Sequence, residues 1–380
     1  MFAAKRRGFG DGAQHAGFRP ALIYTGRTLG RLLAHARRRA RRPALTEQPV
    51  KPIRFCDEQQ HVLVTGATGF IGQELVRALL DDGHTVTALS RDPERARSLF
   101  DGSVNAVGNM ASLPDDHRVD VIVNLAGARI LGPRWTDRRK QMLMQSRIGT
   151  TRSLVEWIAR STHKPALLLN GSAIGYYGVQ RQGDDTPLSE DSSPQPVFMS
   201  QLCQAWEAEA AKAANCGVRV ACMRFGLVLG HGGALPMMLL PFKLGLGGRT
   251  GTGRQWLSWI HIHDLLRGMA HLWPRETTRG EESSQASPAP IEAYNFVAPG
   301  AVHQADFTNA AASVLHRPAL LPTPAWLLRL ALGEQSDLVL EGQRVAPTAL
   351  TASVFVFDFP DIRPALASLC GPVRPIERVG

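Results

Sequence analysis

HVLVTGATGFIGQEL, residues 61–75, sets Gly66, Gly69 and Gly72 three apart directly behind a run of alternating valine and leucine. The apolar run has the length of a short buried strand, and Ile71, Leu75, Leu79 and Leu80 then recur at helical spacing until Gly83. Each rung of such a ladder has a physical job. Gly66 permits the tight turn out of the strand, Gly69 lets backbone approach a pyrophosphate, and Gly72 lets the helix pack close to the sheet. The free N–H groups of the first helical turn then face the phosphates. No Gly-Lys-Ser/Thr follows, which excludes a P-loop. Gly66, Thr68, Gly69, Phe70, Ile71 and Gly72 are therefore the expected floor of a dinucleotide site.

The same unit repeats downstream. HTVTALSR (84–91) reads as a second strand, and RDPERARSLF opens a helix with Asp92 as its N-cap and Pro93 at its first position. VDVIVNLAG (119–127), PALLLNGS (165–172) and GVRVACMRFG (217–226) are further buried strands, and a long helical pattern runs from Asp137 to Arg160. Parallel strands need crossover connections, so this alternation predicts an α/β fold, a Rossmann-type doubly wound parallel sheet. The cofactor is read at the tip of the second strand, where NAD sites usually hold a carboxylate and NADP sites a cation for the 2′-phosphate. Ser90 and Arg91 suit a phosphate, while Asp92 is used as the helix cap, so NADP(H) is favoured over NAD(H).

These residues resemble the extended short-chain dehydrogenase/reductase superfamily. TGATGFIG is similar to its glycine motif, NLAG (124–127) to the segment after its fourth strand, and GRQWLSWIHIHDLLRG (253–268) to its late strand-to-helix element. The resemblance narrows to an atypical branch, the nucleoside-diphosphate-sugar-epimerase-like proteins of the YfcH-like family, with their C-terminal domain of unknown function. RWTDRRKQMLMQSRIGTT (134–151), GSAIGYYG (171–178), MRFGLVLGHGGAL (223–235), PFKLGLGGRTGTGRQ (241–255) and LGEQSDLVLEGQRVAPTAL (332–350) carry it. The resemblance implies cofactor contacts at Leu125, Ala126, Gly127, Gln201 and Arg224, and a substrate contact at Arg254, where a guanidinium suits an anionic group, although Arg254 reads equally well as a salt-bridge partner.

The superfamily's chemistry depends on a Tyr-x-x-x-Lys pair, in which the tyrosine moves the proton and the lysine lowers its pKa and holds the nicotinamide ribose. None of the four tyrosines has a lysine four residues on, and the superfamily pattern places Val197 at the tyrosine position and Gln201 at the lysine position. Ser172, which ends the fifth strand, and the loop residues Tyr176, Tyr177 and Glu190 are the candidate substitutes. Tyr176 and Tyr177 read equally well as residues that only pack their loop. His261, His263 and Asp264 invite a metal reading. Their apolar neighbours favour instead structural histidines alternating on a strand, with Asp264 capping the next helix, and no metal is expected.

Two function classes remain. One is an NADP-dependent oxidoreductase or epimerase-like enzyme on a small carbonyl or hydroxyl substrate, such as a sugar nucleotide. The other is a low-turnover nucleotide-binding sensor or assembly factor. At 380 residues and 44% hydrophobic content the chain can bury a large core. The net charge of +10 is a property of residues 1–57, which hold 13 Lys+Arg against 3 Asp+Glu and leave 30 of each beyond. That segment reads as a disordered appendage, a targeting segment, an electrostatic arm or read-through sequence, and nucleic-acid binding is expected only as nonspecific contact by it. Residues 58–230 are expected to form the dinucleotide-binding domain, completed by 256–300, with 231–255 and 301–380 as a smaller substrate-covering region. No stretch of eighteen apolar residues suggests a membrane span, and five scattered cysteines fit a reduced compartment. The expected location is the cytoplasm, or an organelle matrix if the tail is an address; oligomeric state is left open.

Overall fold

A computed structural model describes residues 51–273 and 289–370. The basic tail up to residue 50 and residues 277–288 of the polar stretch lie outside the described residues. The glycine ladder joins β1 (His61–Thr65) to α1 (Phe70–Asp81), and β2 (Thr85–Leu89), α2 (Pro93–Leu99) and β3 (Asn105–Val107) follow. Asp92 caps α2 by accepting from the Arg95 N–H, with Pro93 in the first turn. Next come β4 (Val121–Asn124), α3 (Asp137–Arg160), β5 (Leu167–Ala173), α4 (Phe198–Ala211) and β6 (Arg219–Phe225). The chain continues through β7 (Leu227–Leu229), α5 (Leu235–Lys243), β8 (Trp256–Leu257), β9 (Trp259–His261), α6 (Ile262–His271) and β10 (Ile291–Phe296). It ends, among the described residues, with β11 (Val302–His303), α7 (Gln304–Leu315), α8 (Ala325–Leu332), α9 (Asp337–Leu340), α10 (Thr348–Ala352) and α11 (Ile362–Cys370).

Seven strands form one sheet in the order β10-β6-β5-β4-β1-β2-β3, and every pairing in it is parallel. The chain moves outward through β2 and β3, then returns to place β4 on the other side of β1. The crevice at that reversal, beyond the carboxyl ends of β1 and β4, is where open α/β sheets take ligands. The two faces are buried by alternation along each strand: Val62 and Val64 of β1 enter one core with Leu75, Leu79 and the α6 residues Leu265 and Met269. Leu63 enters the opposite core with Leu154, Trp157 and Ile158 of α3. A third cluster, built from Leu235, Leu239, Phe242, Phe307, Ala311 and Leu366, holds the smaller region together.

Two local expectations are corrected. His261 ends β9 but His263 lies inside α6, so the two do not alternate on one strand; the N-cap is His261, whose imidazole accepts from the His263 N–H at 3.1 Å. Asp264 is not the cap. It is fully buried, and its two oxygens accept from the N–H groups of Asp358 and Phe359 at 2.9 and 2.8 Å. Those donors belong to SVFVFDF (353–359), which leaves α10 through a turn at Ser353 and Val354 and pairs with no strand among the described residues. Its Phe355 joins the main core beside Leu350, so the C-terminal region shares a core with the Rossmann sheet.

His261 stacks on Phe359 at 3.9 Å and meets Ser368 at 3.2 Å. Burial, helped by the neighbouring His263 and His231, holds its pKa down to about 3. The neutral ring favours the folded state fully above its ordinary pKa, and that stability is lost as pH falls from about 6.5 toward 3. Urea unfolding at pH 8 and pH 5 should lose about 2 kcal/mol more in the wild type than in His261→Gln.

Candidate functional site

The ladder's geometry accounts for glycine at Gly66 and at Gly72. Gly66 has φ +68°, and a Cβ there would lie 2.6 Å from the Leu125 carbonyl oxygen. A Cβ on Gly72 would lie 2.2 Å from the Gly66 oxygen, so α1 can approach β1 only with glycine at that position. Gly69, by contrast, is exposed, with one backbone atom at 3.1 Å from its Cβ direction. It is the N-cap of α1 and supplies no side-chain cap, which leaves first-turn N–H groups of Phe70, Ile71 and Gly72 to be satisfied from the crevice. Thr68 is half-buried beside it. The Phe70 ring is enclosed by Gly230, Gly232 and Gly233, whose Cβ positions would fall 2.5–2.8 Å from ring carbons. The GHGG loop after β7 thus closes on the start of α1.

The second wall is the loop after β4. Thr65 Oγ1 accepts from the N–H groups of Leu125 and Ala126 at 3.1 and 3.0 Å and donates to Asn124 Oδ1 at 2.6 Å. Asn124 in turn donates to Thr151 and Asn170, and the Trp206 indole donates to Thr151 at 2.9 Å. This buried polar layer ties β1, β4, β5, α3 and α4 together under the crevice. Gly127 packs on Arg147 of α3, whose guanidinium burial lowers to about 10. At the β2 tip, Ser90 exchanges hydrogen bonds with Asp92, and Arg91 is exposed with no carboxylate partner among the described residues. Asp92 is occupied as the α2 cap.

At the carboxyl end of β5, Ser172 is buried and donates to Glu207 Oε1 at 2.6 Å. Ser172 and Arg224 are register partners across β5 and β6, and the Arg224 guanidinium grips both oxygens of Glu207 at 2.9 Å. Arg224 also donates to the Tyr177 hydroxyl at 3.0 Å and to the Glu190 carbonyl at 3.1 Å, and its guanidinium carbon lies 3.5 Å from the Tyr176 ring centroid. Burial alone would lower its pKa, but Glu207 and Tyr177 raise it above the ordinary arginine value. Tyr177 is 1% exposed, donates to Asn295 Oδ1 at 2.6 Å, and burial pushes its phenol up despite Arg224. Glu190 Oε1 accepts from the N–H groups of Asn295 and Ala349 at 2.9 and 3.1 Å.

The expected catalytic residues are thus together, but as one internal network. Tyr177, Arg224 and Glu190 have their polar atoms turned inward: Arg224, expected at the cofactor, neutralises Glu207, and Glu190 fastens β10 to α10. Tyr176 keeps a half-buried ring. Val197 is extended at the N-cap of α4 and Gln201 is exposed one turn in, so neither replaces the missing pair. Arg254 is exposed on the loop before β8 with no carboxylate partner among the described residues, while Thr252 Oγ1 of that loop donates to Gln182 at 2.7 Å. The smaller C-terminal region also contacts the segment that follows the β4 wall. Arg134 caps the carboxyl end of α8 at the Leu330 and Ala331 carbonyls, Gln335 bonds both Gly132 and Pro133, and Lys140 meets Glu334 at 2.6 Å.

Glu207, Asn295 and Arg147 were not singled out by sequence reasoning. A glutamate in QAWEAEAAKA looks like a solvated helix face, and only the register of β5 with β6 shows that it faces a buried arginine.

Comparison with known proteins decides the family. The NAD dependent epimerase/dehydratase model matches residues 62–283, more than half of the chain. The chain belongs to that family. A domain of unknown function, DUF1731, matches residues 323–369, within the smaller C-terminal region. An epimerase family protein of Staphylococcus saprophyticus is 40% identical over 313 residues, spanning 82% of this chain and 99% of its own. The chloroplastic SDR39U1 homologue of Arabidopsis thaliana is 35% identical, over 82% of this chain and 87% of its own. Among solved structures, human epimerase family protein SDR39U1 with NADPH superposes with a TM-score of 0.70 at 32% identity, covering 82% of this chain and all of that one.

Glu207→Ala would leave Arg224 buried without its counter-charge and should lower unfolding stability by about 3–5 kcal/mol. Arg77→Ala, which opens the exposed Arg77–Glu74 pair on α1, should change it by less than about 1 kcal/mol in the same urea titration.

Proposed function

We propose that this family member binds NADP(H) on the glycine floor and acts as an oxidoreductase or epimerase-like enzyme on a small carbonyl or hydroxyl substrate. The observation that carries the cofactor reading is the β2 tip, where the carboxylate that would hold an adenosine ribose is committed to capping α2 and Arg91 is left uncommitted. The uncapped first turn of α1 and the open face of Gly69 fit a pyrophosphate. A relative in a solved structure is described with NADPH, which agrees with this reading. When bound, the nicotinamide supplies the hydride donor or acceptor. The protein's part is to orient the substrate and move a proton, and Ser172 on Glu207, with the Tyr176 ring against Arg224 of the same network, is the arrangement best suited to it. Arg254 is assigned to an anionic group of the substrate, of which a sugar nucleotide is one class.

A second reading, a low-turnover nucleotide-binding sensor or assembly factor, is favoured by the burial of Tyr177 and by Val197 and Gln201 at the positions of the missing pair. The proposed location is the cytoplasm, with an organelle matrix as the alternative that a chloroplastic relative keeps open. No helix among the described residues is long and apolar enough to cross a membrane.

Titration with NADPH and NADH should give tighter binding of NADPH. Arg91→Ala should weaken NADPH by about tenfold, the scale of one charge-assisted phosphate contact, and leave NADH unchanged. Equal affinity for the two cofactors in the wild type would remove the NADP(H) assignment. Oxidation of bound NADPH by a panel of carbonyl compounds and sugar nucleotides, abolished in Ser172→Ala, separates the enzyme from the sensor.

A further inference from the structure

Arg147 carries a buried charge that no acidic side chain answers. It lies on α3 and is 8% exposed, and among the described residues no carboxylate pairs with it. Its Nη1 donates to the Leu143 carbonyl at 3.3 Å and its Nη2 to the Ala128 carbonyl at 3.2 Å. The guanidinium carbon stands 5.2 Å from the centroid of Trp206, on the helix that carries Gln201. On the loop side, a Cβ on Gly127 would sit 2.8 Å from that carbon and 2.9 Å from Nη2, so the loop backbone lies directly against the cation. A buried cation is costly, and methionine or leucine would fill the same seam between α3 and α4 without that cost. Packing therefore does not account for the charge.

What the charge touches does. Leu125–Ala128 is the β4 wall of the crevice, and each of its polar tethers has a distinct source: Thr65 holds the Leu125 and Ala126 N–H groups, Ser146 accepts from the Ala128 N–H at 3.1 Å, and Arg147 holds the Ala128 carbonyl. Only Arg147 adds a net charge. Resting on the proposal that this crevice takes NADP(H), we propose that Arg147 is a positioning residue for the dinucleotide. It sets the shape of the Leu125–Ala128 loop and places a fixed positive charge beneath the crevice, a charge that Gln201 does not supply from α4. Arg147 acts through the loop and touches no ligand itself.

The test is NADPH titration of the full-length protein by nicotinamide fluorescence, with thermal unfolding of each variant. Arg147→Met should weaken NADPH by about tenfold or more, the scale of losing hydrogen bonds from a charged donor, and Arg147→Lys should recover most of that affinity. Gly127→Ala leaves the arginine in place but sets a methyl group against it, and should weaken NADPH in the same way. Placed in an Arg147→Ala background, Gly127→Ala should add no further loss, because the atoms it meets are gone. A folded Arg147→Met protein with wild-type affinity overturns the proposal, and so does a lysine variant as weak as the methionine one. If Arg147→Met does not fold, Gly127→Ala decides: wild-type affinity in that variant overturns it. A wild-type protein that binds no NADPH overturns the cofactor assignment itself.

Discussion

Backbone meets backbone at the glycine ladder with no room for a β-carbon, and the rest of the site depends on that approach. The Gly66 oxygen lies against Gly72 of the helix, while Gly66 itself lies against the Leu125 carbonyl of the neighbouring strand's loop. Three segments, from β1, α1 and β4, are thereby drawn to one point at the reversal of strand order. Any side chain at Gly66 or Gly72 would separate them. The opening at Gly69 has meaning only because its two flanking glycines are closed.

Charge is distributed around that point in a consistent way. On the β5–β6 side, Glu207 neutralises Arg224 and takes the Ser172 proton donor, so the network is rigid and balanced within the fold. At the β2 tip Arg91 is exposed, and beneath the β4 wall Arg147 is buried, each without a carboxylate partner among the described residues. These two cations adjoin the crevice, while Arg224 is compensated behind it. A ligand with several negative charges, as a dinucleotide phosphate has, is the complement of that pattern.

The smaller region is bound to the sheet by polar clasps as well as by packing. Asp264 receives two backbone N–H groups from the segment before α11, Glu190 receives one each from β10 and α10, and Arg134 with Gln335 joins the end of α8 to the loop after β4. Each clasp uses a side chain from one part and main-chain groups from another. They join the domain of unknown function to the sheet, while Leu350 and Phe355 continue the main core.

The elements that short-range patterning controls were legible without any structure. Alternating apolar residues placed the parallel strands, the Asp92-Pro93 pair placed the start of α2, and glycines at spacing three placed the dinucleotide floor, because strand burial, helix capping and backbone clearance are each determined within a few residues. What lay beyond that reach was decided by tertiary structure alone. Whether Tyr177 faces substrate or Asn295, whether Arg224 meets cofactor or Glu207, and whether Asp264 caps a helix or captures a distant backbone depend on partners 17 to 118 residues away. Hydrogen bonds across such separations leave no periodic trace in the chain, so Ser172, Tyr176, Tyr177, Glu190 and Arg224 could be picked out in the sequence, while their partners Glu207 and Asn295, and the direction in which each side chain points, were settled only by the packed sheet.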